Sequence, residues 1–437
     1  MKDAEICQST ATDIAERVRS KRLSASEVTE AILERLERLN PRLHAFCTPA
    51  PELARQSARD LDARIARGES VGALAGVPIG IKDLVLTKDI RTVSGSPAYV
   101  DFVPDEDDIV VERLKAADAI IIGKTSVPEF GFSGVGDNPV FPTCRNPWNL
   151  ERTPGGSSSG SGAAVAAGIG PLAVASDGGG SIRIPAAHCG IVGVKASNGR
   201  VPLYPGCRDE RYPGVSSWES LEHIGPHART VADAALMLSV MGSGPDARDR
   251  HTLPGPEFDW RQCTAAPDLR GLRVAYSADW GFAEVDHEVR QIVENAVSVF
   301  ERDLGCAVEH VNPQIDNALE SFWGVVAADC DLAGMRKLSD EFGDSMSPHL
   351  IEFLALEWRA EDLTNANMAR KKMANRLAQF MQRYDLLLTP TLAVPPFELG
   401  IQGPETINDV EVAPHAWLAF TFPFNLTGQP AASVPAG

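Results

Sequence analysis

The sequence predicts a single large α/β domain built on a layered sheet, and three features predict it. Strand-like and helix-like patterns alternate along all 437 residues, as in helices packed on a sheet. Glycine (37) and proline (31) punctuate loops but never gather into a low-complexity linker that would separate one domain from another. A hydrophobic content of 44% over this length supplies the apolar surface for one large core. No internal repeat competes with this reading.

The first seventy residues read as helices. In Ser24-Ala25-Ser26-Glu27 the serine hydroxyl and the glutamate carboxylate can each satisfy an orphan amide at a helix start. Val28, Ile32, Leu36 and Leu39 then repeat at helical spacing. Another helix is expected over 52–67, followed by a short buried strand over 76–81 that ends at Lys82. A helix over 107–117 leads into a strand over 119–123. The small, alanine-rich 159–168 predicts a helix that packs closely on its neighbours, and 172–176 predicts a strand. Helices over 231–241 and 285–302 and strands over 272–276, 307–311 and 385–389 complete the alternation. The loop-rich 205–260 reads as an insertion near a site entrance.

Charge and composition exclude several functions. With 41 Lys and Arg against 59 Asp and Glu, the net charge of −18 repels phosphate backbones and anionic membranes, and no basic run overrides it. Neither nucleic acid nor membrane is therefore an expected partner. The longest apolar runs, 119–122 and 386–388, are far too short to span a bilayer. The start, MKDAEICQST, lacks the basic and apolar regions of a secretory signal. Cys7, Cys47, Cys144, Cys189, Cys207, Cys263, Cys306 and Cys330 are scattered without a CxxC pair. That suits reduced thiols in a cytoplasmic protein better than disulfides or a zinc site, so no metal is expected.

The stretch 153–190, TPGGSSSGSGAAVAAGIGPLAVASDGGGSIRIPAAHCG, stands apart. It holds two glycine- and serine-rich turns joined by one helix and one strand. A ten-residue helix spans ~15 Å and a five-residue strand returns a similar distance. Ser157 and Ser181 can therefore meet although 24 positions separate them. Glycine at both turns lets backbone amides approach a substrate oxygen. Asp177 and Arg183 are expected to pair and brace the second turn.

In these motifs the chain closely resembles the amidase signature family. GGSSSG followed by SDGGGSIRIP carries the resemblance, with Gly80-Ile81-Lys82-Asp83 upstream, NPWNLERTPGG leading in and HIGPHARTVADAALML following. It covers nearly the whole chain and is strongest over about 70–245. The resemblance implies a mixed central β-sheet covered by helices on both faces. It also implies a triad of a lysine, a serine after a cis peptide and a nucleophilic serine, which fall on Lys82, Ser157 and Ser181. The amides of Gly178, Gly179, Gly180 and Ser181 would form the oxyanion hole, and aligning on NPW places Gly131 and Ser133 beside the acyl site.

That triad has a physical logic of its own. A serine hydroxyl is a poor nucleophile until a neighbouring base takes its proton. Lysine can be that base only when neutral, so its pKa must be lowered by desolvation or a nearby positive field. A position straight after a buried strand suits Lys82 to this. Ser157 would relay the proton, and no cofactor is needed. Lys124 and Lys195 also lie near the motifs and are expected to be solvated or bracing lysines.

Three other readings compete with this one. Gly156–Gly160 matches GxSxG, with Ser158 as nucleophile and an Asp and a His downstream; but that motif needs a strand before it, which NPWNLERTP is not, and neither His188 nor His415 sits in a context that marks a base. No GxxxxGK[ST] supports a phosphate cradle. The family also includes the amidase component of a tRNA-dependent amidotransferase complex, whose members carry stretches like EASSNLARYDG and VKRRI. The corresponding WGVVAADCDLAGMRKLSDEF does not match, which favours a free-standing hydrolase. The family usually continues beyond FNLTGQPAASVP with another strand and a terminal helix, so a chain stopping at Gly437 is expected to be shorter than usual.

The same machinery opens carboxamides, anilides, esters and carbamates (urethanes), so a small-molecule substrate is expected, with a homodimer compatible with it. Pocket candidates are the segment 205–220, helices around 322–335 and 350–373, and the stretch near 417–422. Trp218, Trp323, Trp358 and Trp417 favour an apolar or aryl substrate, although core packing is the commoner use of each.

Overall fold

The computed structural model describes residues 3–255, 259–261 and 268–437; Cys263 and part of the expected 205–260 loop lie outside them. The helix Ala25–Leu43 starts as its sequence requires. Ser24 accepts from the Glu27 amide while the Glu27 carboxylate takes the Ser24 amide at 2.8 Å. Its apolar face, with Val28, Ile32 and Leu36, is buried with Ile14 and Val18 of the helix Ala11–Arg19 in the principal core.

That core lies against a mixed seven-stranded sheet. Its strands are β1 (Phe46–Pro49), β2 (Pro78–Lys82), β3 (Ile120–Thr125), β4 (Leu172–Ser176), β5 (Val192–Lys195) and β6 (Ile224–Ala228), with a last strand from the C-terminal segment, Ala431–Ser433. A smaller parallel sheet places β7 (Arg273–Tyr276) between β8 (Ala307–His310) and β9 (Leu386–Leu388). Thr406–Ile407 (β10) and Val410–Glu411 (β11) make a short hairpin, which leaves Ala431–Ser433 as β12. The main sheet runs β1-β3-β2-β4-β6-β5-β12. β2 is parallel to both β3 and β4, while β6 is antiparallel to β4 and β5. The fold is thus the mixed α/β sheet with helical cover that the family resemblance implies. Among the described residues no helix is long and apolar enough to cross a membrane.

The helix Ser159–Ala166 shows why its residues are small. A Cβ on Gly160 would meet the Ala45 carbonyl and the Ser126 amide. The Ser161 hydroxyl donates to the Val174 carbonyl at 2.8 Å and bonds Thr125 Oγ1 at 2.7 Å. Small side chains let the helix lie directly on β3 and β4, which fixes the loop that precedes it.

Four strands of the main sheet are not legible as strands. β6 contains Gly225 and Pro226, which argue against a central strand. The structure accommodates them because β5 pairs with β6 only through Val192 and Gly193, so the ladder has ended before Pro226. β1, β5 and β12 are three or four residues long, too short to show a period. A second apolar core, around Phe130, Trp218, Phe322 and Trp417, joins the sheet to the C-terminal helices.

The register between β2 and β3 is irregular at Gly80 and Gly123. Gly123 takes φ +137°, and a Cβ there would stand 2.5 Å from the Thr48 carbonyl and 2.8 Å from Pro49 Cα. Gly123→Ala is therefore expected to cost at least about 2 kcal/mol, combining a glycine-only backbone with a clash on fixed backbone atoms. Urea unfolding checks this; a change below about 0.5 kcal/mol would contradict it.

Candidate active site

Two parallel strands carry the first two groups of the site to the same end of the sheet. β2 ends in Lys82 and neighbouring β4 ends in Ser176, and every residue of both strands is buried. Lys82 Nζ donates to Ser176 Oγ at 2.8 Å and to the Ser176 carbonyl at 3.2 Å. Its third partner is Ser157 Oγ at 2.7 Å, delivered by the loop that enters the Ser159–Ala166 helix. The Gly156–Ser157 peptide is cis. Burial pulls the Lys82 amine down to about 8, against the opposing pull of the Glu222 and Asp177 carboxylates.

The third group, Ser181, sits between β4 and the helix Arg183–Cys189. Ser157 and Ser181 line one cleft, so the two distant turns do meet. Among the described residues the Ser181 hydroxyl has no hydrogen-bond partner, and it faces the cleft.

Asp177 stitches this loop together. Its carboxylate accepts from the amides of Gly180 (2.7 Å) and Ile182 (3.2 Å), and from Arg183 Nε (2.9 Å) and Nη2 (3.0 Å). Burial alone would raise this carboxyl, but Arg183, Lys195 and Asn425 together hold it well below the usual carboxylate range. The expected Asp177–Arg183 pair is thus present and fully buried. Arg183 also donates to the Thr421 carbonyl (2.8 Å) and to Asn425 Oδ1 (2.7 Å), and Asn425 Nδ2 donates to the Asp177 carbonyl (2.7 Å). Sequence reasoning did not find these C-terminal partners, Thr421 and Asn425.

The glycines divide. The Gly180 amide is committed to Asp177, which removes it from the expected set of oxyanion donors. Gly178, Gly179 and Ser181 line the cleft. A side chain on this row would collide with the walls: a Cβ on Gly178 would lie 2.9 Å from Glu222 Oε2, and one on Gly179 2.7 Å from Phe322. Gly131 and Ser133 also line the cleft. A Cβ on Gly131 would stand 3.3 Å from Ser157 Oγ, and the Ser133 hydroxyl donates to Gln402 Oε1 at 2.6 Å.

The remaining candidates fall elsewhere. Ser158 is buried, donates to the Ser176 carbonyl (3.1 Å) and accepts from the Ser176 amide (3.2 Å); its hydroxyl serves the backbone and does not face the cleft. Lys124 and Lys195 are not solvated. Lys124 is buried on the Val85 carbonyl and on Thr87 and Thr92, and Lys195 on the Gln429 carbonyl and near His223. Burial pulls the first down to about 8 and the second to about 7. Both brace because their stems run through the sheet while their amines find oxygens. His188 is buried and stacked on Trp417, away from the cleft, whereas His415 lies on its wall.

The cleft is lined mainly by apolar and aromatic side chains with a few polar groups, as small-molecule sites commonly are. Phe130, Phe132, Trp218, Phe322, Trp323 and Phe422 form its walls, and Glu222 is a charged side chain among them. Of the four candidate tryptophans, Trp218 and Trp323 line it, while Trp417 is core and Trp358 packs on Phe353. Segment 205–220 contributes Trp218, the 322–335 helices contribute Phe322 and Trp323, and 417–422 contributes Leu418 and Phe422. The 350–373 helices supply only backing, through Phe353 against Phe132.

A family model described as Amidase matches residues 27–437. The chain is 36% identical over 437 residues to an acylamidase of Rhodococcus erythropolis, with 98% of this chain and 88% of that one covered. It is also 36% identical over 461 residues to a glutamyl-tRNA(Gln) amidotransferase subunit of Carboxydothermus hydrogenoformans, covering 99% and 91%. Among solved structures, a bacterial aryl acylamidase of the amidase signature enzymes matches with a TM-score of 0.90 at 32% identity, covering 98% of this chain and 90% of that one.

Removing one member of a buried ion pair leaves the other charge uncompensated. Asp177→Ala is therefore expected to cost about 3–5 kcal/mol in unfolding free energy. A loss under about 1 kcal/mol in denaturant titration would contradict the bracing role.

Proposed function

The chain belongs to the amidase signature family, hydrolases of amide carbon–nitrogen bonds, and from that premise we propose that it is a free-standing amidase using Lys82, Ser157 and Ser181 as its triad. We read residues 1–437 as one amidase signature domain. The observation that carries the proposal is the 2.7 Å contact between Ser157 and a fully buried lysine whose amine is pulled toward neutrality.

The chemistry then runs in two acyl transfers. Ser181 Oγ attacks the amide carbon, its proton passes to Ser157 Oγ, and the Ser157 proton passes to neutral Lys82. The oxyanion meets the amides of Gly178, Gly179 and Ser181, and a donor of this kind contributes about 3–4 kcal/mol to the transition state. The carbon–nitrogen bond breaks as Lys82 returns its proton through Ser157 to the leaving amine. Water repeats the sequence on the acyl-serine and releases the acid. Neither metal nor organic cofactor enters these steps.

The aromatic walls and the aryl acylamidase likeness support a small aryl or apolar amide as substrate. Esters and carbamates pass through a similar oxyanion and are proposed as secondary substrates. Cys47, Cys144, Cys189, Cys207, Cys306 and Cys330 are free thiols, which suits a reducing compartment such as the cytoplasm.

A second reading, the amidase component of a tRNA-dependent amidotransferase complex, is favoured by the 36% identity to the Carboxydothermus protein. Assays on p-nitroanilide, aliphatic amide, ester and carbamate substrates separate the two. The free-standing reading expects the purified chain to hydrolyse at least the anilide, whereas no turnover of any simple substrate would favour the complex.

Ser181→Ala is expected to lower kcat roughly 10⁴–10⁶-fold, and Lys82→Ala at least ~10²–10⁴-fold. A loss under tenfold in either variant removes that residue from the mechanism. Because the reactive Lys82 is the neutral form, kcat/KM should rise with pH and level off above about 8. A profile flat from pH 6 to 10 would contradict the assignment.

A further inference from the structure

Glu222 lines the cleft but lies outside the proposed triad. Its Oε2 sits against Gly178, and with Ser176 it also lines a second, small cavity bounded by Leu84, Phe130 and Cys207. The Ser176 hydroxyl shares the lining of both cavities with the Glu222 carboxyl, whose ionised form it favours, and accepts from Lys82 Nζ at 2.8 Å. One hydroxyl thus stands between a carboxylate and the amine.

A neutral amine has two N–H groups and one lone pair. To take a proton from Ser157 it must aim the lone pair there, so both N–H groups need acceptors elsewhere. Those acceptors are the Ser176 carbonyl and Ser176 Oγ. A hydroxyl is a committed acceptor only when its own proton points at a third group. An ionised Glu222 is that group. Without it, the Ser176 hydroxyl can turn its proton onto the Lys82 lone pair and hold it away from Ser157. The same logic governs imidazole bases, where the partner of one nitrogen sets the role of the other.

We propose that Glu222 is a positioning residue which, through the Ser176 hydroxyl, directs the Lys82 lone pair at Ser157. The inference rests on the triad reading above. Lys82, Asp177 and Arg208 face Glu222, Cys207 borders it, and His227 also feels Lys82. Burial pushes the Glu222 carboxyl up to about 6 against the pull of Lys82, and its charge in turn raises Lys82. Neutralising Glu222 therefore lowers the Lys82 pKa and moves the acid limb of kcat/KM to lower pH.

The test measures kcat, KM and pH profiles for the full chain and for E222Q, E222A, S176A and S176A/E222A, with K82A and S181A as controls. E222Q keeps an acceptor oxygen for Ser176 without the charge, so its kcat should fall less than that of E222A at plateau pH, with the acid limb shifted down. E222A should lose roughly 10–100-fold in kcat with KM within about twofold. On the S176A background E222A should cost nothing further, because the hydroxyl through which it acts is gone. Glu222→Leu, of similar volume, replaces the alanine variant if that chain does not fold, and E222Q decides alone if both fail: a limb at or above the parent position overturns the proposal. So does a rise in KM without a fall in kcat, which would make Glu222 a substrate contact, or additive losses in the double variant. Near-parent activity in K82A would instead overturn the triad reading itself.

Discussion

A lysine amine with no water around it governs the arrangement of this site. Moving an ammonium group out of water costs several kcal/mol even after a protein relaxes around it, so burial favours the neutral amine. Hydrogen bonds then decide where that amine points. The sheet supplies both conditions together, because β2 is buried along its whole length and ends on Lys82 while parallel β4 ends on Ser176 beside it. Ligands commonly gather at the carboxyl ends of parallel strands. Here the two strand ends also set the electrostatics, since any slip between β2 and β4 would separate Lys82 from both oxygens of Ser176.

The glycine-rich loop that carries Ser181 is built by a different device. It has few side chains of its own, and the glycine row leaves room for Trp218, Phe322 and Thr421 to close on it. Its shape comes from Asp177, which binds two loop amides and Arg183, and from a C-terminal segment that reaches back to cap the pair through Thr421 and Asn425. A buried pair is favourable only when its remaining donors and acceptors are met, and these C-terminal groups meet them. The same segment contributes Leu418 and Phe422 to the cleft, so bracing and substrate shape are coupled.

Much of this was legible in the sequence, for identifiable reasons. The Ser24 capping box, the 231–241 helix and strand β4 follow from local rules and appear where those rules place them. The convergence of Ser157 with Ser181 was readable because glycine- and serine-rich turns flank a helix and strand of matched length, while Lys82 came from the family resemblance. Strand β6 was not, because Gly225 and Pro226 are tolerated only where β5 has stopped pairing. Glu222, Thr421 and Asn425 were missed because their partners lie on other strands and loops, and no spacing encodes such contacts. Sequence left Lys124 and Lys195 as solvated or bracing for the same reason: the buried carbonyl and hydroxyl partners that make them bracing are tertiary.

The charge state of residue 82 is the most direct point of contact with experiment. Lysine labelled with carbon-13 at Cε, with the signal assigned by its loss in Lys82→Arg, reports that state across pH without any substrate. A desolvated amine predicts that the assigned Lys82 signal inflects near 8, well below the ordinary value of about 10.4. An ordinary titration at that position, or an amine that stays protonated to pH 10, would contradict it.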